Sequence, residues 1–126
     1  MEFNREKPIY LQIADWMGEK IIRQEWLKNE RIPSVREIAA LLQVNPNTAM
    51  RAYDSLQSDG IIYNKRGVGY YVCEDADIKI IEKERTVFLS EILPGVFTRM
   101  NLIGLTIEQL NQEYENFKKD ENENKH

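Results

Sequence analysis

The side chains able to do recognition chemistry fall in two short stretches. Between residues 34 and 51 stand Ser34, Arg36, Asn47, Thr48 and Arg51. An arginine guanidinium is a planar fork of donors that fits guanine O6 and N7 or a phosphate, and short polar side chains can add hydrogen bonds beside it. Lys65, Arg66 and Gly67 then place two cations and a glycine in one turn, a combination suited to phosphate or to a minor groove. Catalytic chemistry has no comparable basis. The one histidine is His126, the one cysteine is Cys73, and no Ser, Cys or carboxylate has a base beside it. No glycine-rich phosphate cradle occurs either. The expectation is a protein that is not an enzyme, with no cofactor and no metal centre.

Two helical periods position the first stretch. Val35, Ile38, Ala39 and Leu42 recur at i, i+3, i+4 and i+7, and Ala49, Ala52, Tyr53 and Leu56 repeat that spacing. Ser34 with Glu37 is a capping box, which satisfies orphan amides at a helix start. Asn45 before Pro46 is a second start signal, because Asn caps well and a first-turn proline has no amide proton to leave unpaired. Only Gln43, Val44 and Asn45 separate the two helices. So tight a connection makes a helix-turn-helix, whose second helix turns Asn47, Thr48, Met50, Arg51, Asp54 and Ser55 outward.

The remaining chain reads as support. Ile9, Ile13, Trp16, Met17 and Ile21 line one side of a first helix running to about Gln24. Ile32-Pro33 delivers an extended chain to Ser34, since a residue before proline is pushed out of helical geometry. Gly60 stops the third helix in a left-handed C-cap. Ile61-Ile62-Tyr63 and Tyr70-Tyr71-Val72 are β-rich runs joined by Asn64 to Gly69, a hairpin with glycines at its tip. The tyrosines Tyr53, Tyr63, Tyr70 and Tyr71 suit core and sheet packing better than a stacking platform for single strands.

From Glu74 the composition turns acidic. The chain carries −4 overall, but residues 1–73 are net +1 and residues 74–126 net −5, so two parts with different tasks are expected. A long helix from about Ile78 to Met100 is expected to break near Ser90 to Leu93 because of Pro94. Thr106 and Gln109 form another capping box and open a shorter helix through Leu110, Tyr114 and Phe117. These two helices are too small to enclose a ligand cavity, and their wide apolar faces call for a second copy of the chain. No convergent polar group there argues for a small-molecule effector. Residues 120–126 read as a solvated, disordered tail. The chain has no long apolar run and no apolar segment behind a basic start, which leads to the expectation of a cytoplasmic protein with no membrane partner.

Several motifs together resemble the winged helix-turn-helix of the GntR family of bacterial transcription regulators. They are Pro8-Ile9-Tyr10-x-Gln12-Ile13, Ile32-Pro33-Ser34-x-Arg36-Glu37-Ile38-Ala39, Val44-Asn45-Pro46-Asn47-Thr48-x-x-Arg51-Ala52-Tyr53-x-x-Leu56, Gly60-Ile61-Ile62 and Arg66-Gly67-x-Gly69-x-x-Val72. Asn-Pro-Asn-Thr and the short C-terminal part are similar to the YtrA subfamily, whose members resemble dimeric repressors. The resemblance implies a mainly α fold with a small β-hairpin: a winged helix-turn-helix DNA-binding domain over residues 1–73 and a helical dimerisation segment over 74–119. It implies DNA contacts by Arg36 at the start of the first motif helix, Thr48 at the start of the recognition helix and Gly67 at the wing tip. The sequence departs from the family where Pro46 stands in place of a common arginine, Gln43 in place of the usual glycine, and Lys28-Asn29 in place of Pro-Gly. The expected function is a homodimeric, sequence-specific regulator, a repressor on a pseudo-palindromic operator in double-stranded DNA. A winged-helix module that binds another protein is the alternative.

Overall fold

The computed structural model describes residues 1–124 and divides the chain into two compact units, one over residues 1–84 and one from Arg85 onward. The first unit opens with α1 (Ile9–Ile22), α2 (Val35–Leu42) and α3 (Pro46–Ser58). Ile13, Met17 and Ile21 enter the core, whereas Ile9, expected on the same side, is 44% exposed. Gln12 is buried with its polar atoms satisfied: Nε2 donates to the carbonyls of Asn4 (2.9 Å) and Lys7 (2.8 Å), and Oε1 accepts from Asn4 N–H (3.1 Å). This ties the N-terminal segment to α1 without leaving an unpaired buried amide.

Ile38, Ala39 and Leu42 of α2 and Ala49, Ala52, Tyr53 and Leu56 of α3 are buried, as the two helical periods require. Gln43 closes α2 in left-handed geometry at φ 57°, in the place where glycine would be unstrained. Tyr53 is fully buried, its hydroxyl donates to the Pro33 carbonyl, and its ring meets Tyr70 edge-on at 4.9 Å. Burial, then the nearby Glu37 and Tyr70, push the Tyr53 phenol far above its ordinary value. The neutral form therefore belongs to the folded state. Its contribution is complete below the ordinary tyrosine pKa of about 10 and is lost as pH climbs from there toward the raised folded value. Tyr53→Phe should cost about 1 kcal/mol at neutral pH through the lost hydrogen bond. It should also flatten the fall in stability above about pH 10, measured against wild type by urea unfolding.

Beyond α3, Gly60 takes φ 74° and the chain enters β1 (Ile62–Lys65) and β2 (Gly69–Val72), paired antiparallel with Ile62 opposite Val72 and Lys65 opposite Gly69. The turn is shorter than expected, since Asn64, Lys65 and Gly69 belong to the strands. The segment before Pro33 also joins the sheet. Asn29 N–H donates to Val72 O (2.8 Å), Val72 N–H to Glu30 O (3.1 Å) and Ile32 N–H to Tyr70 O (2.9 Å), and Arg31 bridges antiparallel to Tyr71.

The first unit ends later than the expected boundary at residues 73 and 74. Ala76 and Ile80 of α4 (Ala76–Val87) are buried. Ile80 lies 3.7 Å from where a Cβ on Gly18 would sit, and Lys83 reaches Asp59 at 2.9 Å. The two apolar residues are spaced i, i+4 and so face the core together.

In the second unit a π-helical turn (Phe88–Ile92) precedes α5 (Leu93–Ile103). It falls where proline was expected to interrupt the helix, because Pro94 cannot donate to the carbonyl four residues back. Gly104 caps α5 at φ 72°. Thr106 and Gln109 form their capping box, with N–H to side-chain distances of 2.9 and 3.1 Å. Helix α6 (Ile107–Asn124) then runs through most of the stretch expected to be a disordered tail. Residues 120–124 are Asp, Glu, Asn, Glu and Asn, with no proline or glycine among them to stop the helix. Lys125 and His126 of that expected tail lie outside the described residues.

Candidate nucleic-acid interface

Helix caps set the backbone that presents the expected contact residues. The Ser34 hydroxyl accepts from Glu37 N–H at 3.1 Å, and the Glu37 carboxylate accepts from Ser34 N–H at 3.2 Å. Ser34 is thus engaged as a cap, and the first-turn amides of Val35 and Arg36 are the ones without an intrahelical acceptor. Arg36, two residues after the cap, is exposed. In α3 the capping oxygen belongs to Asn45, which accepts from Asn47 N–H at 2.8 Å. The Asn47 side chain is therefore not the cap and is exposed, with the half-buried Thr48 beside it. Arg51 is one turn further on and also exposed, so Asn47, Thr48 and Arg51 share the N-terminal half of one helix face.

Arg51 has a partner that the helical periods gave no sign of. Its guanidinium carbon stands 4.2 Å over the ring of Tyr10 in α1. A cation above an aromatic face is attracted by the ring quadrupole, and here it narrows the arginine's freedom before any ligand arrives. The one signal of it in the sequence is the place of Tyr10 in the Pro8-Ile9-Tyr10-x-Gln12-Ile13 motif.

The wing separates its two cations. Arg66 and Gly67 form the turn, with Val68 N–H donating to Lys65 O at 2.9 Å. Gly67 takes φ 78° and has open space where a Cβ would be, so glycine is required there by backbone angle and not by crowding. Lys65 instead ends β1, its ammonium 4.3 Å over the ring of Tyr71, and Tyr71 is stacked with Tyr63 at 5.7 Å. Arg31, which belongs to neither motif stretch, approaches the same strand end beside Gly69.

Ion pairing divides the first unit's cations. Lys7 pairs with Asp15, Lys20 with Glu25, Arg23 with Glu19, Lys28 with Glu74, Lys79 with Asp75 and Lys83 with Asp59. Among the described residues Arg31, Arg36, Arg51, Lys65 and Arg66 form no ion pair, and outside the helix-turn-helix and wing only Arg5 shares that condition within the unit. Cations without an ion pair are thus gathered on these elements: Arg36 and Arg51 beside the acids Glu37 and Asp54 on the two helices, and Arg31, Lys65 and Arg66 at the wing, where the positive excess can attract a polyanion.

The model of bacterial regulatory proteins of the gntR family matches residues 9–72. The chain belongs to the GntR family. It is 38% identical over 109 residues to the HTH-type transcriptional regulator YhcF of Bacillus subtilis strain 168, covering 86% of this chain and 88% of YhcF. It is 34% identical over 105 residues to the transcriptional repressor YtrA of the same organism, covering 83% of this chain and 80% of YtrA. A crystal structure of a GntR-family regulator from Bacteroides thetaiotaomicron matches at a TM-score of 0.79 and 38% identity, over 90% of this chain and 98% of that one. This GntR-family member is a transcriptional regulator with a DNA-binding winged helix-turn-helix followed by further helices. Among its described residues no helix is long and apolar enough to cross a membrane.

Proposed function

We propose that this GntR-family chain is a homodimeric repressor that reads a pseudo-palindromic operator in double-stranded DNA. Ser34, Arg36, Asn47, Thr48 and Arg51 supply the helix-turn-helix contacts, and Lys65, Arg66 and Gly67 those of the wing. The observation that carries this reading is the set of cations without ion pairs on those elements, beside others that are neutralised. Asn47 and Arg51, exposed on the N-terminal half of α3, are the side chains offered to base edges, because a recognition helix enters the major groove by that end. Cations at the wing suit phosphate.

Repression is supported by the similarity to YtrA, a transcriptional repressor. Dimerisation is supported by the apolar side chains exposed from Arg85 onward, including Phe88, Ile92, Phe97, Ile107, Tyr114 and Phe117. In a two-fold dimer the recognition helices call for inverted half-sites about 10 base pairs apart or a multiple of that spacing. Selection of bound duplexes from random DNA tests the proposal. Enrichment of an inverted repeat with steep salt dependence is expected; enrichment of a lone half-site would overturn the dimeric operator.

A further inference from the structure

Arg31 lies outside residues 34–51 and 65–67. Its antiparallel bridge to Tyr71 places the two side chains on one face of the wing sheet, because directly opposed residues share a face. Tyr63 is in register with Tyr71, and Lys65 with Gly69, so by alternation Tyr63 and Lys65 lie on that face as well. The opposite face carries Ile32, Ile62 and Val72, all buried. Arg31, Tyr63, Tyr71 and Lys65 therefore form the outer face of the wing.

On that face the Arg31 side chain runs across Gly69. A Cβ at Gly69 would meet Arg31 Nε at 2.8 Å, Nη2 at 3.3 Å and Cζ at 3.4 Å, and Gly69 takes φ 149°. The missing side chain gives the guanidinium its place next to the strand end where Lys65 is paired, one residue from Arg66 at the tip. Acids are close in the chain but do not hold it. Glu74 pairs with Lys28 and accepts from the Asn29 side chain, while Arg31 forms no ion pair. Three cations gathered at one end of a small sheet without a counter-charge repel one another, and an anion relieves that repulsion.

We propose that Arg31 is a DNA-binding residue that grips a backbone phosphate of the duplex from the outer face of the wing, in the place that Gly69 leaves open to it. The inference rests on the proposed operator-binding function and adds a sequence-independent contact to it. Lys65, steered by Tyr71, and Arg66 share the same stretch of backbone. A phosphate contact carries no base information, so its loss is felt equally on operator and random DNA.

The test uses the full chain, its selected operator and a random duplex, with fluorescence anisotropy from about 50 to 200 mM salt. Arg31→Ala is expected to weaken binding to both duplexes by the same factor, roughly fivefold to tenfold per contact, and to lower the salt slope by about one per protomer. Arg31→Lys is expected to keep the slope. Arg31 is exposed, so both variants should fold, which circular dichroism checks. Unchanged affinity and slope in Arg31→Ala, with wild type binding normally, would overturn the assignment of Arg31 alone. So would a loss confined to the operator with an unchanged slope, since that marks a change in wing shape. Wild type that binds neither duplex would overturn the operator-binding reading itself.

Discussion

Arg51→Ala is expected to weaken operator binding by roughly 1–3 kcal/mol, about five-fold to 150-fold, and to relax base preference at one position of each half-site. The expectation follows from where the guanidinium stands. Arg51 is exposed on α3, so truncating it empties no core space. Its contact with Tyr10 at 4.2 Å contributes about 0.5–1 kcal/mol at an exposed site, which bounds the loss of stability. Affinity for random DNA should fall much less than affinity for operator, the reverse of the uniform loss expected for Arg31. Titrating both duplexes with the variant, alongside a thermal melt, separates the outcomes. If operator affinity is unchanged while the melting temperature drops, Arg51 serves only to pack on Tyr10.

Tyr10 gives the same experiment a second handle. Tyr10→Leu keeps apolar bulk but removes the ring face that holds the cation. If stacking pre-orders Arg51, this variant should lose part of the affinity lost by Arg51→Ala, and the double variant should lose no more than Arg51→Ala alone. Such non-additivity is the signature of two residues acting through one contact.

What was legible in the sequence was what is local. The capping box at Ser34, the Asn45-Pro46 start, the Gly60 stop and the Thr106 capping box each depend on residues within one turn of each other, and each is present. The interruption before Pro94 was legible for the same reason, since a proline acts on a carbonyl four residues back. Pairings between distant segments were not legible. Arg31 reaches β2, and Tyr10 reaches Arg51, across separations that no periodicity encodes. The later boundary of the first unit depended on Ile80 finding room over Gly18, which is equally non-local. The tail was misjudged for another reason: a charged run without apolar spacing reads as disorder, yet extending a helix already under way costs far less than starting one, and with no proline or glycine in the way α6 continues to Asn124.

The C-terminal helices lead to the other large effect, loss of two-site binding when their apolar faces are charged. Ile107, Leu110, Tyr114 and Phe117 recur along α6 at helical spacing, and Ile107, Tyr114 and Phe117 are 62%, 57% and 58% exposed. A stripe of this kind on an otherwise polar helix is costly to leave in water. Burying a phenylalanine is worth about 1.5–3 kcal/mol, and a two-fold interface contains every residue twice. Phe117→Glu should therefore weaken dimerisation by roughly 3–6 kcal/mol, more if the two carboxylates are forced together. Sedimentation equilibrium is expected to show a dimer for wild type and a monomer for the variant, with helical content preserved because Phe117 is already exposed in the isolated chain. On DNA the consequence should be large but selective. A monomer keeps its own half-site contacts and loses those of its partner, so operator affinity should fall to that of a single half-site while affinity for an isolated half-site stays the same. A Phe117→Glu protein that remains dimeric and still binds both half-sites together would place the interface elsewhere on the chain.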